Sequence, residues 1–188
     1  PVLWSEKNQI TGDIIHLISN PETEALDSLK VLSNAFIVSK DSLAENNFNQ
    51  IKGRNMFGKF EDNKLRFLTV NGNAESLYFN RNEQTNILET ITKEVSSDIE
   101  FTMVNSEIES IKYIKNSDGK TYPPSKLPDD IKILKGFIWR EDEQPKKMED
   151  IFIKDNLKSE TNKKEQIIPE KIPAKLPDNK DKNTVIKQ

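Results

Sequence analysis

The chain of 188 residues contains no cysteine, a single histidine and no long apolar run. Without cysteine it can form neither a disulfide framework nor a thiolate metal site. A membrane-spanning helix needs about 20 apolar residues, so none is expected. Only 34% of the residues are hydrophobic and 31% are charged, so we expect a thin core or a segment without one. The net charge of −3 argues against nucleic acid as a partner.

Residues that could carry catalysis or hold a metal are also few. His16 is the only histidine, and no catalytic partner stands near it in sequence, so we expect it on the solvent face of a strand. Acid pairs such as Glu61-Asp62 lack the order of a calcium loop and fall in turns. Motifs for phosphate loops, hydrolase elbows and zinc proteases do not occur. We therefore predict a protein that is not an enzyme and that uses no metal and no cofactor.

The composition changes near residue 145. Residues 146–188 contain 11 lysines and eight acids but no glycine, and three prolines recur every four residues between 169 and 177. This spacing is typical of extended, polyproline-like chain. Such a segment cannot bury enough apolar surface to offset an ordering entropy of about 1–2 kcal/mol per residue. We predict one domain at 1–150 and a flexible tail at 151–188, with room for a short helix at 148–157.

A segment pattern recurs three times at intervals of about 40 residues. The first copy reads GDIIHLI at 12–18, LKV at 29–31 and NAFIV at 34–38. The second reads GRNMFGKF at 53–60, LTV at 68–70 and NAESLYF at 73–79. The third is weaker and reads SDIEFTM at 97–103 and IKY at 111–113, with a turn expected at Asp118-Gly119. Repeats of this length predict stacked β-units that share one core.

Alternation of apolar and polar residues is the dominant signal within these copies. It predicts an all-β fold of many short antiparallel strands, separated by turns such as Asn71-Gly72. Helical periodicity is seen only around 83–95. The apolar residues predicted to line one face of the sheet are Ile15, Leu17, Met56, Phe60, Leu68, Val70, Ile99, Phe101, Met103 and Ile111.

Several of these segments, in this order, resemble the OstA-like family of lipopolysaccharide-transport proteins. The matching segments are ITGDIIHL at 10–17, LKVLSNAFIVS at 29–39, NQIKGRNM at 49–56 and VNGNAESLY at 70–78. The closing segments YPP at 122–124 and GFIWR at 136–140 resemble the variant of the family found in Bacteroidetes-type bacteria. The resemblance covers about residues 4–152. It implies an open β-jellyroll in the periplasm, here without some N-terminal repeats and with its export signal removed.

The resemblance also implies a function. The chain would be a periplasmic lipid-binding protein that shelters the acyl chains of lipopolysaccharide, or of its lipid A part, during transport to the outer membrane. The apolar row given above would line the slot, with Leu77 near its mouth. Basic residues near the mouth would meet lipid phosphates, and the candidates are Lys52, Arg54, Lys59 and Arg66. Open edge strands would pair with other β-jellyroll transport proteins, or head to tail with a second copy.

An alternative uses the same residues differently. The apolar row would then be an ordinary sandwich core that is closed against itself. The chain would be a non-enzymatic β scaffold or interaction module, which pairs with partners through its edge strands and binds no lipid. The two readings differ in whether an amphiphile enters the core.

Limited proteolysis tests the domain boundary. We expect trypsin to cut first beyond about residue 150, because a lysine-rich chain without an apolar core offers accessible sites. Residues 1–145 should persist as a resistant fragment. Mass spectrometry of the products over time would locate the cuts, and a protected fragment that extends beyond Lys154 would contradict the boundary.

Overall fold

Alternating apolar residues form one antiparallel sheet in the computed structural model, which describes residues 1–5, 7–104 and 107–146. Its nine strands in these residues are β1 (Val2–Ser5), β2 (Asn8–Thr11), β3 (Ile14–Ser19), β4 (Leu26–Lys40), β5 (Phe48–Glu61), β6 (Lys64–Arg81), β7 (Leu88–Val104), β8 (Glu107–Ile114) and β9 (Asp118–Tyr122). The order is β1-β2-β4-β5-β6-β7-β8, while β3 pairs with β4 and β9 pairs with β7. The prediction of an open, all-β fold is confirmed. The predicted tail and the helix at 148–157 lie outside the described residues.

The central strands are much longer than predicted. β4 to β7 contain 15, 14, 18 and 17 residues, respectively. Asn71-Gly72, predicted as a turn between strands, lies inside β6. The helical periodicity at 83–95 is misleading, since β7 begins at Leu88. After β9 come short 3₁₀ turns at Pro124–Lys126, Asp129–Ile131 and Glu141–Glu143.

The long strands are divided by bulges at which the pairing register slips. The slips fall between Leu32 and Ala35, between Lys52 and Asn55, and between Asn71 and Ala74. They split the sheet into two parts. The first half-sheet consists of β3, β8 and segments 26–32, 55–61, 64–71 and 98–104. The second consists of β1, β2, β9 and segments 35–40, 48–53, 74–81 and 88–96.

The bulges explain the sequence repeat. In LKVLSNA at 29–35, Ser33 and Asn34 have φ values of 58° and 52°. Gly72 and Asn73 take the same positions in LTVNGNA at 68–74, with φ values of 79° and 50°. In the third copy the two residues with positive φ are Lys115 and Asn116. Asp118 and Gly119 begin β9, so the turn predicted at these two residues is wrong. Glycine and asparagine tolerate this conformation better than most residues, which accounts for their recurrence.

Side chains from the neighbouring strand complete the hydrogen bonding at these bulges. The Asn55 Oδ1 accepts a hydrogen bond of 3.0 Å from the backbone N–H of Ser33. The Asp98 Oδ1 does the same for Gly72 at 3.0 Å and also accepts from the Asn71 side chain at 3.1 Å. A slipped register removes these N–H groups from the strand ladder, so the side chains replace a backbone partner.

Residues of both half-sheets pack into a first hydrophobic core. Its buried members are Ile10, Leu29, Val31, Ala35, Ile51, Met56, Leu68, Val70, Ala74, Ile99 and Phe101. Ile10 and Ile51 belong to the second half-sheet while Met56 and Phe101 belong to the first, so a single core spans both halves. This arrangement resembles a sandwich made from one bent sheet.

A second core lies on the opposite face of the second half-sheet. In β4, Phe36 and Val38 contribute to the second core, whereas Ile37 between them packs against the first. The other buried members are Leu77, Phe79, Ile91 and Leu134. The second core is covered by the irregular segment 123–140, which adds Leu134, Phe137 and Trp139. The second half-sheet is therefore apolar on both faces.

Two buried glutamines attach this covering segment. The Gln50 amide donates to the carbonyl of Lys132 at 2.9 Å and accepts from the N–H of Leu134 at 2.8 Å. The Gln9 amide donates to the carbonyl of Ile138 at 2.6 Å and accepts from the N–H of Arg140 at 2.7 Å. Each side chain thus pairs with the segment as a neighbouring strand would.

Truncation of Phe101 tests the packing of the first core. This ring is 2% exposed, so Phe101→Ala should lower the free energy of unfolding by about 3–5 kcal/mol. Phe67, on the adjacent strand but 45% exposed, provides the matched control. We expect Phe67→Ala to change stability by no more than about 1 kcal/mol in urea denaturation. Equal losses in the two variants would contradict the assignment of the inner face.

Candidate functional site

The centre of the predicted apolar row is closed to solvent. Met56, Val70 and Ile99 are 0% exposed, Phe101 is 2% exposed and Leu68 is 3% exposed. These five side chains belong to the first core, which contains residues of both half-sheets. In this conformation the middle of the slot is therefore filled by protein side chains.

The same apolar face becomes accessible at one end of the first half-sheet. There Phe60 pairs across the strands with Leu65, and Met103 pairs with Ile108. All four are partly exposed, and three of them pack on the first core, namely Phe60, Leu65 and Ile108. We call these four residues together with Arg66 the rim. The rim is an apolar surface that continues directly into the core.

The absence of a side chain at Gly58 leaves room for the Leu65 side chain of the rim to pack on the core. A Cβ built on Gly58 would lie 2.8 Å from Leu65 Cδ1 and 3.3 Å from Leu29 Cβ. A larger residue at this position would require the Leu65 side chain to move, because carbon atoms do not approach so closely. Gly58 therefore places the Leu65 side chain over the inner face, next to the buried Leu29.

Arg66 supplies positive charge at the rim. Its guanidinium donates a hydrogen bond of 2.7 Å to the backbone carbonyl of Met103. The same group lies 3.6 Å from the carboxylate of Glu61, which is well exposed. Arg66 is thus fixed beside the apolar side chains while it keeps contact with water. A guanidinium in this position can bind a phosphate or a carboxylate.

The other three basic residues predicted near the mouth lie elsewhere. Lys52 pairs with Glu75 at 2.8 Å on the outer face of the second half-sheet. Lys59 pairs with Asp27 at 2.6 Å, and this hydrogen bond holds the pKa of the Asp27 carboxyl below its usual value. Arg54 is exposed at a bulge. Only Arg66 meets the expectation of a cation beside the apolar face.

The remaining predicted lining residues divide into three groups. Ile15 and Ile111 are half-buried on edge strands β3 and β8 and pack on the first core. Leu17, also on β3, is 45% exposed. Leu77 is misplaced in the prediction, since it is 0% exposed and belongs to the second core. The alternation that places Leu68 and Val70 in the first core continues on β6 to Ala74, so Leu77 is out of phase with them and faces the second core.

Two tyrosines near the inner face were not predicted. Tyr113 occupies the repeat position of Val31 and Val70, and its hydroxyl is hydrogen-bonded to Ser76. Burial raises the pKa of Tyr78 to about 12, and the proximity of Tyr113 adds to this shift. Burial also raises the pKa of Tyr113. Aligning the third repeat copy with the first two would have identified Tyr113 as an inner residue.

Groups that would suggest catalysis are not brought together. His16 is exposed on β3, as predicted. Within the described residues, no cluster of three histidine, aspartate or glutamate side chains is arranged to hold a metal ion. In the same residues no helix is long and apolar enough to cross a membrane. An open cavity of about 640 Å³ beside Trp139 is lined by Lys40 and Glu141, which pair with each other at 3.1 Å.

The fold and the rim define a class, namely an antiparallel β protein with one bent open sheet and an accessible apolar end. No protein-family model matches the chain, and no curated protein sequence matches it. The resemblance to the OstA-like family therefore stays a prediction. It rests on the segments quoted for it.

Alkaline unfolding tests the environment of Tyr78. Its pKa is about 12 in the fold, against about 10 in an unfolded chain, so the folded state holds the proton more tightly. The resulting stability is complete below pH 10 and is lost as the pH rises toward 12, at roughly 1.4 kcal/mol per pH unit. We expect Tyr78→Phe to reduce this slope and Tyr122→Phe to keep it, as measured by urea denaturation. An unchanged slope in Tyr78→Phe would contradict the assignment.

Proposed function

We propose that this chain is a periplasmic lipid-binding protein that shelters acyl chains of lipopolysaccharide during transport to the outer membrane. The observation that carries the proposal is the rim, where the side chains of Phe60, Leu65 and Ile108 belong to the first core but remain partly exposed. An apolar surface that leads from solvent into a core suits an acyl chain. The periplasmic location rests on the family resemblance.

The rim is large enough to give useful affinity. Each methylene removed from water contributes about 0.8 kcal/mol. Burial of about six methylenes against Phe60, Leu65, Met103 and Ile108 would contribute roughly 5 kcal/mol. This corresponds to a dissociation constant of about 0.2 mM before the entropy of ordering the lipid is counted. Several chains of one lipid would add their contributions. A glycolipid with multiple acyl chains is therefore favoured over a single fatty acid.

Arg66 gives the proposed site its polar end. The ligand phosphate would approach the guanidinium, which donates a hydrogen bond of 2.7 Å to the Met103 carbonyl. Its contact with the Glu61 carboxylate is longer, at 3.6 Å. A phosphate could replace this long and exposed contact with Glu61. Acyl chains would then lie toward the core while the phosphate and sugar stay in water. The binding is passive and requires no catalytic group.

The sheet edges favour a second candidate, a scaffold that binds proteins through its edge strands. Within the described residues, β3 pairs only with β4, and β8 pairs only with β7. On β3, Ile14 is 49% exposed, Leu17 is 45% exposed and Ile18 is 37% exposed. A free edge with apolar side chains can accept an additional strand. Such pairing is compatible with lipid binding, but it does not require any lipid.

Photo-crosslinking tests the lipid proposal. A benzophenone amino acid in place of Phe60 should crosslink to lipopolysaccharide, because the ring lies at the rim. The matched control is Phe57, an aromatic residue of the same strand that is 40% exposed on the outer face. We expect at least about fivefold more product at Phe60, since only that ring continues into the core. Probes at Met103 and at His16 or Glu100 extend the same comparison.

The other outcomes have distinct meanings. Equal product at Phe57 and Phe60 would indicate non-specific partition of the amphiphile onto the surface, contrary to the proposal. The absence of crosslinked product at both Phe60 and Met103 would contradict lipid binding at the rim and would favour the scaffold function. Product at the buried Met56 or Ile99 would additionally show that the half-sheets separate when lipid enters.

A further inference from the structure

The bulges create a groove that the rim does not use. This groove has a volume of about 960 Å³. Part of its lining comes from four pairs of residues adjacent in sequence, namely Gly12-Asp13, Ser33-Asn34, Gly53-Arg54 and Gly72-Asn73. Lys135, Gly136, Ile138 and Arg140 of the covering segment line it as well. The volume lies in the range of small-ligand sites. The repeat that bends the sheet therefore also builds a concave polar surface.

Positive charge is concentrated in this groove. Its side chains include the cations Lys52, Arg54, Lys135 and Arg140, against the two acids Asp13 and Glu75. This surplus contrasts with residues 1–145 as a whole, which carry six more acids than bases. A concave surface that collects cations on an acidic domain raises the local concentration of anions.

In the part of the chain that the structure describes, two of the four cations have no counterion, whereas Arg140 pairs with Glu143 at 3.9 Å. Lys52 and Glu75 form a half-buried ion pair at 2.8 Å, and Asp13 accepts a hydrogen bond of 3.0 Å from Asn34. Among the described residues, no ion pair is formed by Arg54 or by Lys135. The charge that remains for a ligand is thus a guanidinium and an ammonium group.

Backbone geometry leaves space for the Arg54 side chain. A Cβ built on Gly72 would lie 3.1 Å from the Arg54 Cβ and 3.5 Å from its Nε. Gly72 also has a φ of 79°, which other residues adopt only with strain. The absence of a side chain at Gly72 lets Arg54 extend along the bulge, with its guanidinium on the groove.

We infer that this groove binds a phosphorylated ligand, through the guanidinium of Arg54 and the ammonium of Lys135. Two cations without counterions match a phosphate dianion better than a single carboxylate. Hydroxyl and amide groups of Ser33, Asn34 and Asn73 lie in the same groove and suit a polar body such as a sugar. The inference does not depend on lipid binding at the rim, because the two sites share no residue.

Titration of the full chain with sodium pyrophosphate tests the inference. In NMR spectra we expect the amide signals of Gly53, Gly72 and Gly136 to shift most, since these residues line the groove. Arg54→Gln and Lys135→Gln should each weaken binding by about fivefold or more, because each removes a charge-assisted hydrogen bond. Lys30→Gln is the matched control, because Lys30 is an exposed strand residue outside the groove that forms no ion pair with any other described residue. It should change the affinity less than about twofold.

Vesicle sedimentation identifies the source of the phosphate. Vesicles of phosphatidylcholine are compared with vesicles that also contain phosphatidic acid. Binding of pyrophosphate alone indicates a soluble phosphorylated ligand, whereas sedimentation that requires both phosphatidic acid and Arg54 indicates a lipid headgroup. The inference is overturned if neither probe depends on Arg54 or Lys135, or if Lys30→Gln weakens binding as much as Arg54→Gln does. Thermal melting of each variant checks that folding is unchanged.

Discussion

The fold depends on hydrogen bonds at the bulges. At each bulge an N–H group leaves the strand ladder and needs another acceptor, and a donor left unpaired where water is excluded would cost about 1–3 kcal/mol. Asn55 serves Ser33, and Asp98 serves Gly72, each at 3.0 Å. With these bonds made, one sheet can turn back on itself and form a core between its own halves.

Alternation along a strand decides which of the two cores each side chain joins. Alternation that places Leu68 and Val70 in the first core continues through the bulge to Ala74 and Ser76, and Leu77 then faces the second core. The second half-sheet consequently needs a cover on its outer face, which segment 123–140 provides. The covering segment buries apolar side chains that this face of the second half-sheet would otherwise expose to water.

Sequence reasoning predicted the inner face of the first half-sheet well. Met56, Val70, Ile99 and Phe101 follow a strict period of two and are all buried as expected. Prediction failed at the bulges, where Asn71-Gly72 has the composition of a turn but the geometry of a bent strand. Composition alone cannot separate these cases, because both need the left-handed backbone conformation that glycine and asparagine allow. The error at Leu77 has a different cause, since Leu77 is out of phase with Leu68 and Val70 in the same alternation.

The candidate site was less predictable than the fold. Alternation identifies apolar residues of one face, but it does not show which are sealed by a neighbouring layer and which lie at an open end. Met56 and Phe60 fit the same pattern, yet Met56 is 0% exposed while Phe60 is partly exposed. Exposure depends on contacts between residues far apart in the chain. The position of Arg66 beside Met103, 37 residues away, is of the same kind.

The two glutamine side chains have a consequence for variation of the covering segment. Gln50 and Gln9 bind only backbone atoms there, at Lys132 and Leu134 and at Ile138 and Arg140. Amide groups that bind backbone do not discriminate between side chains. The register of the segment is therefore fixed at two points, whatever residues lie between them. An exposed position such as Ile133 is free to diverge without moving the segment, which makes this surface a place where new specificity can evolve on an unchanged fold.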